Sequence, residues 1–145
     1  MRSYDDYEQK KKKEMNMMTS ELTSLTWVVT LNAVMWMPYI INTIMVRGLM
    51  DAVGYPDEPK ALSGWATKMK AAHYNAVENL VVFAALVLIA NAAGVSNEIT
   101  VMACNVYFWA RVVHLLSYTM AIPWVRTVSF VIGWACQVAI ILQLL

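Results

Sequence analysis

The sequence predicts an all-α protein, an integral membrane bundle of four antiparallel helices. Hydrophobic residues make up 59% of its 145 residues and charged residues only 14%, against roughly 45–50% and 25% in soluble domains. The few charges are also unevenly placed, because only 11 of them lie within residues 22–145. A water-soluble body of this size would need far more polar surface.

Four segments of the chain are long and apolar enough to cross a bilayer, which takes about 20 residues of helix. The first, residues 25–46, holds no charged residue. Its Pro38 should kink the helix, which membrane helices tolerate where neighbours cover the freed carbonyl. A polar loop rich in glycine and proline is predicted over residues 47–63, and Ser63 is a suitable N-cap for the second helix.

The remaining spans follow at short intervals. The second is apolar over residues 79–93, and Gly94 predicts a tight turn at its end. The third covers residues 99–121 and ends before Pro123, and the fourth covers residues 125–145. Because short loops join the spans, we expect consecutive helices to pack antiparallel in one domain, residues 22–145.

Ten charged residues crowd into the first 21 positions. We expect residues 1–21 to form a charged, flexible tail. The run KKKKEMNMM within it places lysines and a glutamate, whose codons are purine-rich, just ahead of three methionines. Two interpretations stay open: a tail that solvates one membrane face, or a mis-assigned start with synthesis beginning at Met15, Met17 or Met18.

Charge and motifs exclude several classes of protein. A net charge of +1 provides no basic surface for nucleic acid. The two cysteines have no metal-ligand spacing, and the common signatures of soluble enzymes are missing. Lysine and arginine are equally numerous on the two sides of the spans, five on each. The positive-inside rule therefore predicts no orientation.

One stripe of polar residues lies inside the third span. An arginine at the centre of a membrane helix costs about 2.5–3.5 kcal/mol even on lenient scales, so it normally faces the bundle interior and has a partner. Arg111 is such a residue. His114 and Tyr118 follow it at i+3 and i+7, on the same face of the helix.

A second polar stripe lies on the second span. Asn75 and Glu78 are three residues apart, and Lys68 extends their stripe toward the loop. We expect the two stripes to face each other, with Glu78 and Arg111 neutralising one another and the other polar residues lining a cavity open to one membrane surface. Arg126, which begins the fourth helix, should lie beside this cavity. The simpler alternative is an ion pair that only fixes packing.

A cationic cavity at a membrane surface suits an anionic, hydrophilic ligand, and the bilayer beside it can deliver an apolar one. Nucleophilic catalysis by a side chain has no support, because no serine or cysteine lies on the stripes with a base. Activation of a bound thiol fits better. A thiol of pKa about 8.5 is mostly protonated at neutral pH, and an adjacent arginine favours its thiolate.

Two motifs carry a family resemblance. AHxNxxE at residues 72–78 and ARxxHxxxY at residues 110–118, followed by an arginine, resemble the MAPEG family, the membrane-associated proteins in eicosanoid and glutathione metabolism. The surrounding runs, KAAHYNAVENLVVFAALVLIA and FWARVVHLLSYTMAIPWVRTVSF, resemble it as well. The similarity extends from about Leu25 to the C-terminus. Either motif alone would be weak, but together they are specific.

The resemblance implies a homotrimer that binds glutathione in a cleft between adjacent subunits. It also implies transferase or peroxidase activity on lipophilic electrophiles or lipid hydroperoxides, with detoxification as the role. Arg126 matches the arginine that stabilises the glutathione thiolate, and Tyr118 a ligand-contacting position, where we expect a hydrogen-bond donor. The residues expected to bind glutathione are Asn75, Glu78, Arg111, His114, Lys68 and, from the neighbouring subunit, Arg47.

Three positions depart from the family pattern. Ala71 stands where the family's enzymes usually have an arginine. Phe130 and Tyr74 replace, respectively, a tyrosine and a basic residue of the family's prostaglandin synthase. The alternative to an enzyme is therefore a non-catalytic lipid- or glutathione-binding protein of the same fold, and a third hypothesis is a purely structural membrane protein. By family analogy the protein lies in the inner membrane if the cell is bacterial, and its site faces the cytoplasm.

Overall fold

The structure, a computed structural model, describes residues 18–145, and all regular secondary structure in that range is helical. Met15, Met17 and most of the predicted tail, residues 1–21, lie outside the described residues. Four long helices are present, each apolar enough to cross a membrane, which confirms the predicted number of spans. They are α1 (Ser20–Arg47), α3 (Gly64–Ala92), α4 (Glu98–Thr119) and α5 (Pro123–Leu144), with a short α2 (Leu49–Val53) between the first two.

Helix α1 begins earlier than the predicted boundary at residue 25. Thr19 is its N-cap, and the Thr19 hydroxyl accepts a hydrogen bond from the backbone N–H of Leu22 at 3.3 Å. The first turn is polar but buried. Glu21 is only 4% exposed, and the Ser24 hydroxyl donates to the Asn105 side-chain oxygen at 3.0 Å. These residues belong to the packed bundle.

The connection from α1 to α3 is hydrogen-bonded to α1 just before α3 begins. Gly48 ends α1 with φ of 81°, a conformation that favours glycine, and the unpredicted α2 follows. Asn42 then makes two hydrogen bonds with Ser63: its amide nitrogen donates to the Ser63 hydroxyl at 2.9 Å, and its oxygen accepts from the Ser63 N–H at 3.1 Å. The last residue of the loop is therefore held against α1.

The other two connections are tight turns. Gly94, with φ of 68°, turns the chain after α3 as the sequence predicts. Asn97 then caps α4 in a capping box with Thr100. Helix α4 ends at Thr119, two residues before the predicted end, and the turn passes through Ala121 with φ of 60°. Pro123 is the first residue of α5, where proline fits because its missing N–H is not needed.

The bundle has α3 and α4 at its centre. Helix α1 packs against both of them, and so does α5, with the α4–α5 contact the most extensive. In the core, the rings of Phe83 and Tyr107 stack 3.7 Å apart between centroids, beside Val28, Cys104 and Ile140. Outside it, many large apolar side chains are exposed, including all six tryptophans. Such a surface suits lipid or a neighbouring subunit, as in a multi-pass membrane protein.

Candidate functional site

Three of the predicted site residues meet at one end of the bundle. Lys68 on the second turn of α3, Tyr118 near the end of α4 and Arg126 on the first turn of α5 line a cavity of about 160 Å³. The rest of its wall is the α4–α5 turn, residues 121–123. The guanidinium carbon of Arg126 lies 5.0 Å from the centroid of the Tyr118 ring, so the two side chains form a cation–π pair.

The tight α4–α5 turn creates this arrangement. The Ile122 N–H donates to the Ser117 carbonyl at 2.8 Å, and the Ala121 N–H donates to the Tyr118 carbonyl at 3.2 Å. These bonds close the end of α4, and Pro123 starts α5 at once. The first turn of α5 therefore lies beside the last turn of α4, which brings Arg126 to Tyr118.

His114 is buried directly behind this cavity. Its Nδ1 lies 3.0 Å from the backbone carbonyl oxygen of Arg126, and because a carbonyl only accepts, Nδ1 carries a proton. The Ser129 hydroxyl donates to the same carbonyl at 3.0 Å. The His114 ring meets the Tyr118 ring edge-on at 5.7 Å between centroids. Its Nε2 is buried and has no hydrogen-bond partner among residues 18–145.

The predicted pairing of Glu78 with Arg111 is wrong for the single chain. Arg111 is 3% exposed, and none of its three guanidinium nitrogens has a hydrogen-bond partner within the described part of the chain. Glu78 is exposed on α3. The Arg111 guanidinium instead lies against two aromatic rings, 4.9 Å from the centroid of Tyr107 and 5.5 Å from that of Phe130.

A glycine on α5 explains why Arg111 faces that helix. A Cβ added at Gly133 would collide with the guanidinium, since it would lie 3.1 Å from both Cζ and Nε of Arg111 and closer still to Nη2. The guanidinium therefore fills the space that a side chain at position 133 would occupy. Arg111 is held between α4 and α5, and its charge is not directed at α3.

The other predicted residues do not line the small cavity. Asn75 is half-buried on α3, and its side-chain oxygen is inaccessible and without a hydrogen-bond partner in residues 18–145. Arg47 donates from Nε to the backbone carbonyl of Lys60 at 2.8 Å. In the single chain the predicted residues thus fall into a group around Arg126 and a separate group that includes Asn75 and Glu78.

Several residues that shape the site were not predicted from the sequence. Tyr107 and Gly133 hold Arg111, and Ser129 shares the Arg126 carbonyl with His114. Only Tyr107 had a usable signal, because it precedes Arg111 by four residues and so lies on the same helix face. His73 also has an unpredicted partner: its Nδ1 lies 2.9 Å from the Tyr39 hydroxyl.

An apolar groove of about 550 Å³ runs along the outer surface between α4 and α5. Trp109 and Val113 form one wall, and Trp124 and Val128 form the other. Trp124 and Val125 line the groove immediately before Arg126 in the chain. A large apolar groove therefore comes close to the cationic end of α5.

The chain has four helices that can cross a membrane, a buried arginine and a cationic cavity at one end of the bundle. These features are those of a small multi-pass membrane protein. The sequence model of the MAPEG family matches residues 25–145, almost the whole of the described chain. The protein belongs to the MAPEG family, which confirms the resemblance seen in its motifs. Comparisons with curated proteins and with solved structures gave no significant match.

Proposed function

We propose that the protein is a glutathione-dependent membrane enzyme of the transferase or peroxidase type. Its substrates would be lipophilic electrophiles or lipid hydroperoxides. The main support is the cavity in which Lys68, Tyr118 and Arg126 converge, two cations and a phenol at the end of a membrane bundle. Membership of the MAPEG family supports glutathione as the ligand.

The residues present suit glutathione, a peptide with two carboxylates, an ammonium group and amide N–H donors. Lys68 and Arg126 are cations for its carboxylates or its sulfur. The Asn75 oxygen and the His114 Nε2 are buried and have no partner among residues 18–145, so each would have to turn toward the ligand before it could accept from the donors of glutathione. The exposed Glu78 carboxylate can pair with its ammonium group.

The cavity of one subunit is too small to enclose such a ligand. Its volume is about 160 Å³, whereas pockets for ligands of this size are usually ~300–1,000 Å³. A second subunit would enlarge it and could contribute Arg47. The small cavity supports a ligand site between subunits of the homotrimer that the resemblance implies. By family analogy we propose that these subunits are antiparallel four-helix bundles and that the site faces the cytoplasm.

In this proposal glutathione supplies the sulfur nucleophile, and the chain binds and orients it. Arg126 stabilises negative charge on the sulfur, because a fixed cation in a site shielded from water acts strongly on charge that develops there. The Tyr118 ring, 5.0 Å from the guanidinium carbon, positions that cation. The Tyr118 hydroxyl donates a hydrogen bond, and Lys68 holds a carboxylate.

The apolar groove supports a lipophilic second substrate. Its lining between α4 and α5 is almost entirely apolar and is exposed on the outer surface of the bundle. Trp124 and Val125 bring the groove to the start of α5, next to Arg126. An apolar molecule dissolved in the bilayer could therefore approach the bound sulfur without crossing water.

Ala71 favours a second candidate, a non-catalytic protein that binds lipid or glutathione. The family's enzymes usually have an arginine at this position. The neighbouring Lys68 and Lys70 cannot reproduce the planar, two-pronged contact of a guanidinium with a carboxylate. A protein with weaker glutathione binding could still hold an apolar ligand in the α4–α5 groove.

Conjugation of glutathione to chlorodinitrobenzene by the purified protein in detergent tests the enzyme directly. We expect Arg126→Ala to lower kcat/KM by about 10²–10³-fold, the usual effect of removing one transition-state charge contact. Lys60→Ala is the matched control, since it removes an exposed cation from the loop and leaves the carbonyl that Arg47 uses. Equal activity of Arg126→Ala and wild type would disprove the role of Arg126.

Thermal unfolding with and without glutathione separates the two candidates. A ligand that binds only the folded protein must raise its thermal midpoint. If the protein is the proposed enzyme, glutathione should raise its thermal midpoint, and the protein should also turn over glutathione with an electrophile or a hydroperoxide. Stabilisation by glutathione or lipid without turnover of several electrophiles and hydroperoxides would favour the binding protein.

A further inference from the structure

The first turn of α5 carries Arg126, the cation on which the proposed function depends most. The N-cap of this helix, Ile122, makes no side-chain capping bond, and the Arg126 N–H donates to the Ile122 carbonyl at 3.1 Å. Helix ends fray when side chains do not fix them. A frayed first turn would let the Arg126 guanidinium leave the cavity, so its direction depends on contacts from outside α5.

His114 makes such a contact from within α4. Its Nδ1–H donates to the Arg126 backbone carbonyl at 3.0 Å, and its ring meets the Tyr118 ring edge-on, with 5.7 Å between centroids. The His114 side chain is 4% exposed and lies more than one turn before the end of α4. It is therefore a firmer anchor than a helix end, and it contacts both members of the Arg126–Tyr118 pair.

The Arg126 carbonyl also accepts a second side-chain hydrogen bond. The Ser129 hydroxyl donates to it at 3.0 Å, and Ser129 is buried like His114. Hydrogen bonds shielded from water are stronger than exposed ones. Two buried donors thus fix the direction of one carbonyl, and that carbonyl belongs to the residue whose side chain lines the cavity.

His114 cannot keep this bond and also present Nε2 to glutathione. Its Nε2 is buried and inaccessible, and the lining of the cavity includes Tyr118 and Arg126 but not His114. Turning the ring toward a ligand would move Nδ1 away from the Arg126 carbonyl. The carbonyl would then lose one of its two side-chain donors at the moment when Arg126 is needed.

We propose that His114 is a positioning residue, which holds the backbone of Arg126 against α4 so that the guanidinium faces the cavity, and that it does not contact glutathione. The inference rests on the proposed function, since it concerns the cation that stabilises the thiolate. It takes His114 out of the glutathione-binding set that the family resemblance implies. Loss of the Nδ1 bond should therefore impair the chemical step more than the binding of glutathione.

Two substitutions of His114 separate its two ring nitrogens. Asparagine places its amide nitrogen near the position of Nδ1, whereas glutamine places it near that of Nε2. We expect His114→Gln to lower kcat for glutathione conjugation by about 10–10²-fold, as misplacement by ~1 Å does, and to leave KM for glutathione within about threefold. His114→Asn keeps the donor and should come within about threefold of the wild-type kcat.

Thr127→Val is the matched control on the same turn of α5. The Thr127 hydroxyl donates to the Pro123 carbonyl at 3.0 Å, a bond that stays within α5 and belongs to an exposed residue. Its removal should leave kcat and KM unchanged. A fall of kcat in Thr127→Val as large as that in His114→Gln would contradict a specific role of His114.

Three kinetic results would overturn the inference. They are a wild-type kcat in His114→Gln, an equal loss of kcat in the asparagine and glutamine variants, and a raised KM for glutathione in His114→Asn at unchanged kcat. If His114→Gln does not fold, Ser129→Ala replaces it, because it removes the second donor from the same carbonyl. It should lower kcat several-fold at nearly constant KM, and an unchanged kcat would then contradict the inference.

A second readout works without turnover, so that failure of the proposed function and failure of this inference remain distinct. In protein isotopically labelled at arginine, NMR gives a resonance for the Arg126 Nε–H, which Arg126→Lys identifies by its loss. We expect this resonance to keep its position in His114→Asn and to shift in His114→Gln. The same position in both variants and wild type would overturn the inference, whereas an inactive wild type would contradict only the proposed enzyme.

Discussion

Within residues 18–145, Arg111 shows how a helical bundle can hold a charge without an ion pair. Its guanidinium is planar and weakly hydrated, so aromatic faces can replace part of its solvation. Tyr107 and Phe130 provide two such faces, and Gly133 leaves the space between them. The three nitrogens still lack acceptors among residues 18–145.

We predict that Gly133→Ala destabilises the protein by about 1–3 kcal/mol, the usual cost of overpacking a buried site. The new methyl group would displace the Arg111 guanidinium from its position between the rings. Gly64→Ala is the matched control, because a Cβ there meets nothing within 4 Å. The thermal midpoints of the two variants in detergent measure the difference, and equal midpoints would show that Arg111 can move freely.

The sequence located the residues of the site better than their partners. Lys68, Tyr118 and Arg126 converge because each lies near a helix end at the same side of the bundle, which span boundaries alone predict. The Glu78–Arg111 pair failed because charge complementarity does not determine helix rotation. Rotation here depends on the space at Gly133, and a glycine inside an apolar helix gives no sign of which side chain fills its gap.

At the scale of helices, the termini are defined by hydrogen bonds more than by hydropathy. The predicted spans have the right number and approximate position, because the apolar runs are long. The observed ends of the helices differ from the predicted ends, because Thr19 and Asn97 cap α1 and α4 through local polar contacts. The polar first turn of α1 looked like tail in the sequence, since its burial depends on contacts with Asn105 and Thr100 far along the chain.

We predict that Asn97→Ala lowers the free energy of unfolding by about 1 kcal/mol, the typical value of an N-cap. The Asn97 side chain accepts from the N–H groups of Ile99 and Thr100 at 2.9 and 3.0 Å, and alanine accepts from neither. Asn97→Asp keeps the acceptor and loses only the exposed hydrogen bond that the Asn97 amide donates to the Gln143 side-chain oxygen at 3.0 Å, so it should cost less than alanine. Thermal unfolding of both variants tests the cap, and equal loss in the two would contradict it.

At the scale of the molecule, the single chain leaves large apolar surfaces and part of the proposed site uncovered. Its tryptophans are exposed, the polar residues of α3 lie apart from the Arg126 cavity, and that cavity is small. The sequence does not tell whether lipid or another subunit covers these surfaces, because side chains at a subunit interface resemble those that face lipid. Only the family resemblance pointed to an assembly.

We predict that the protein purifies as a homotrimer. Light scattering with correction for bound detergent should give a protein mass three times the 16.4 kDa of one chain, about 49 kDa. Dilution in mild detergent should leave this mass unchanged if the subunits share the ligand site. A mass of 16.4 kDa in a preparation that still turns over glutathione would contradict a site between subunits.

The polar loop between α1 and α3 is anchored where it returns to the bundle, by Asn42 to Ser63 and by Arg47 to Lys60. Its outermost part, around the fully exposed Tyr55, makes no such contact with the helices. The packing of α1 against the other helices therefore does not depend on an unbroken backbone at Tyr55. A chain nicked there would stay assembled, and two separately translated pieces divided at that point could reconstitute the bundle.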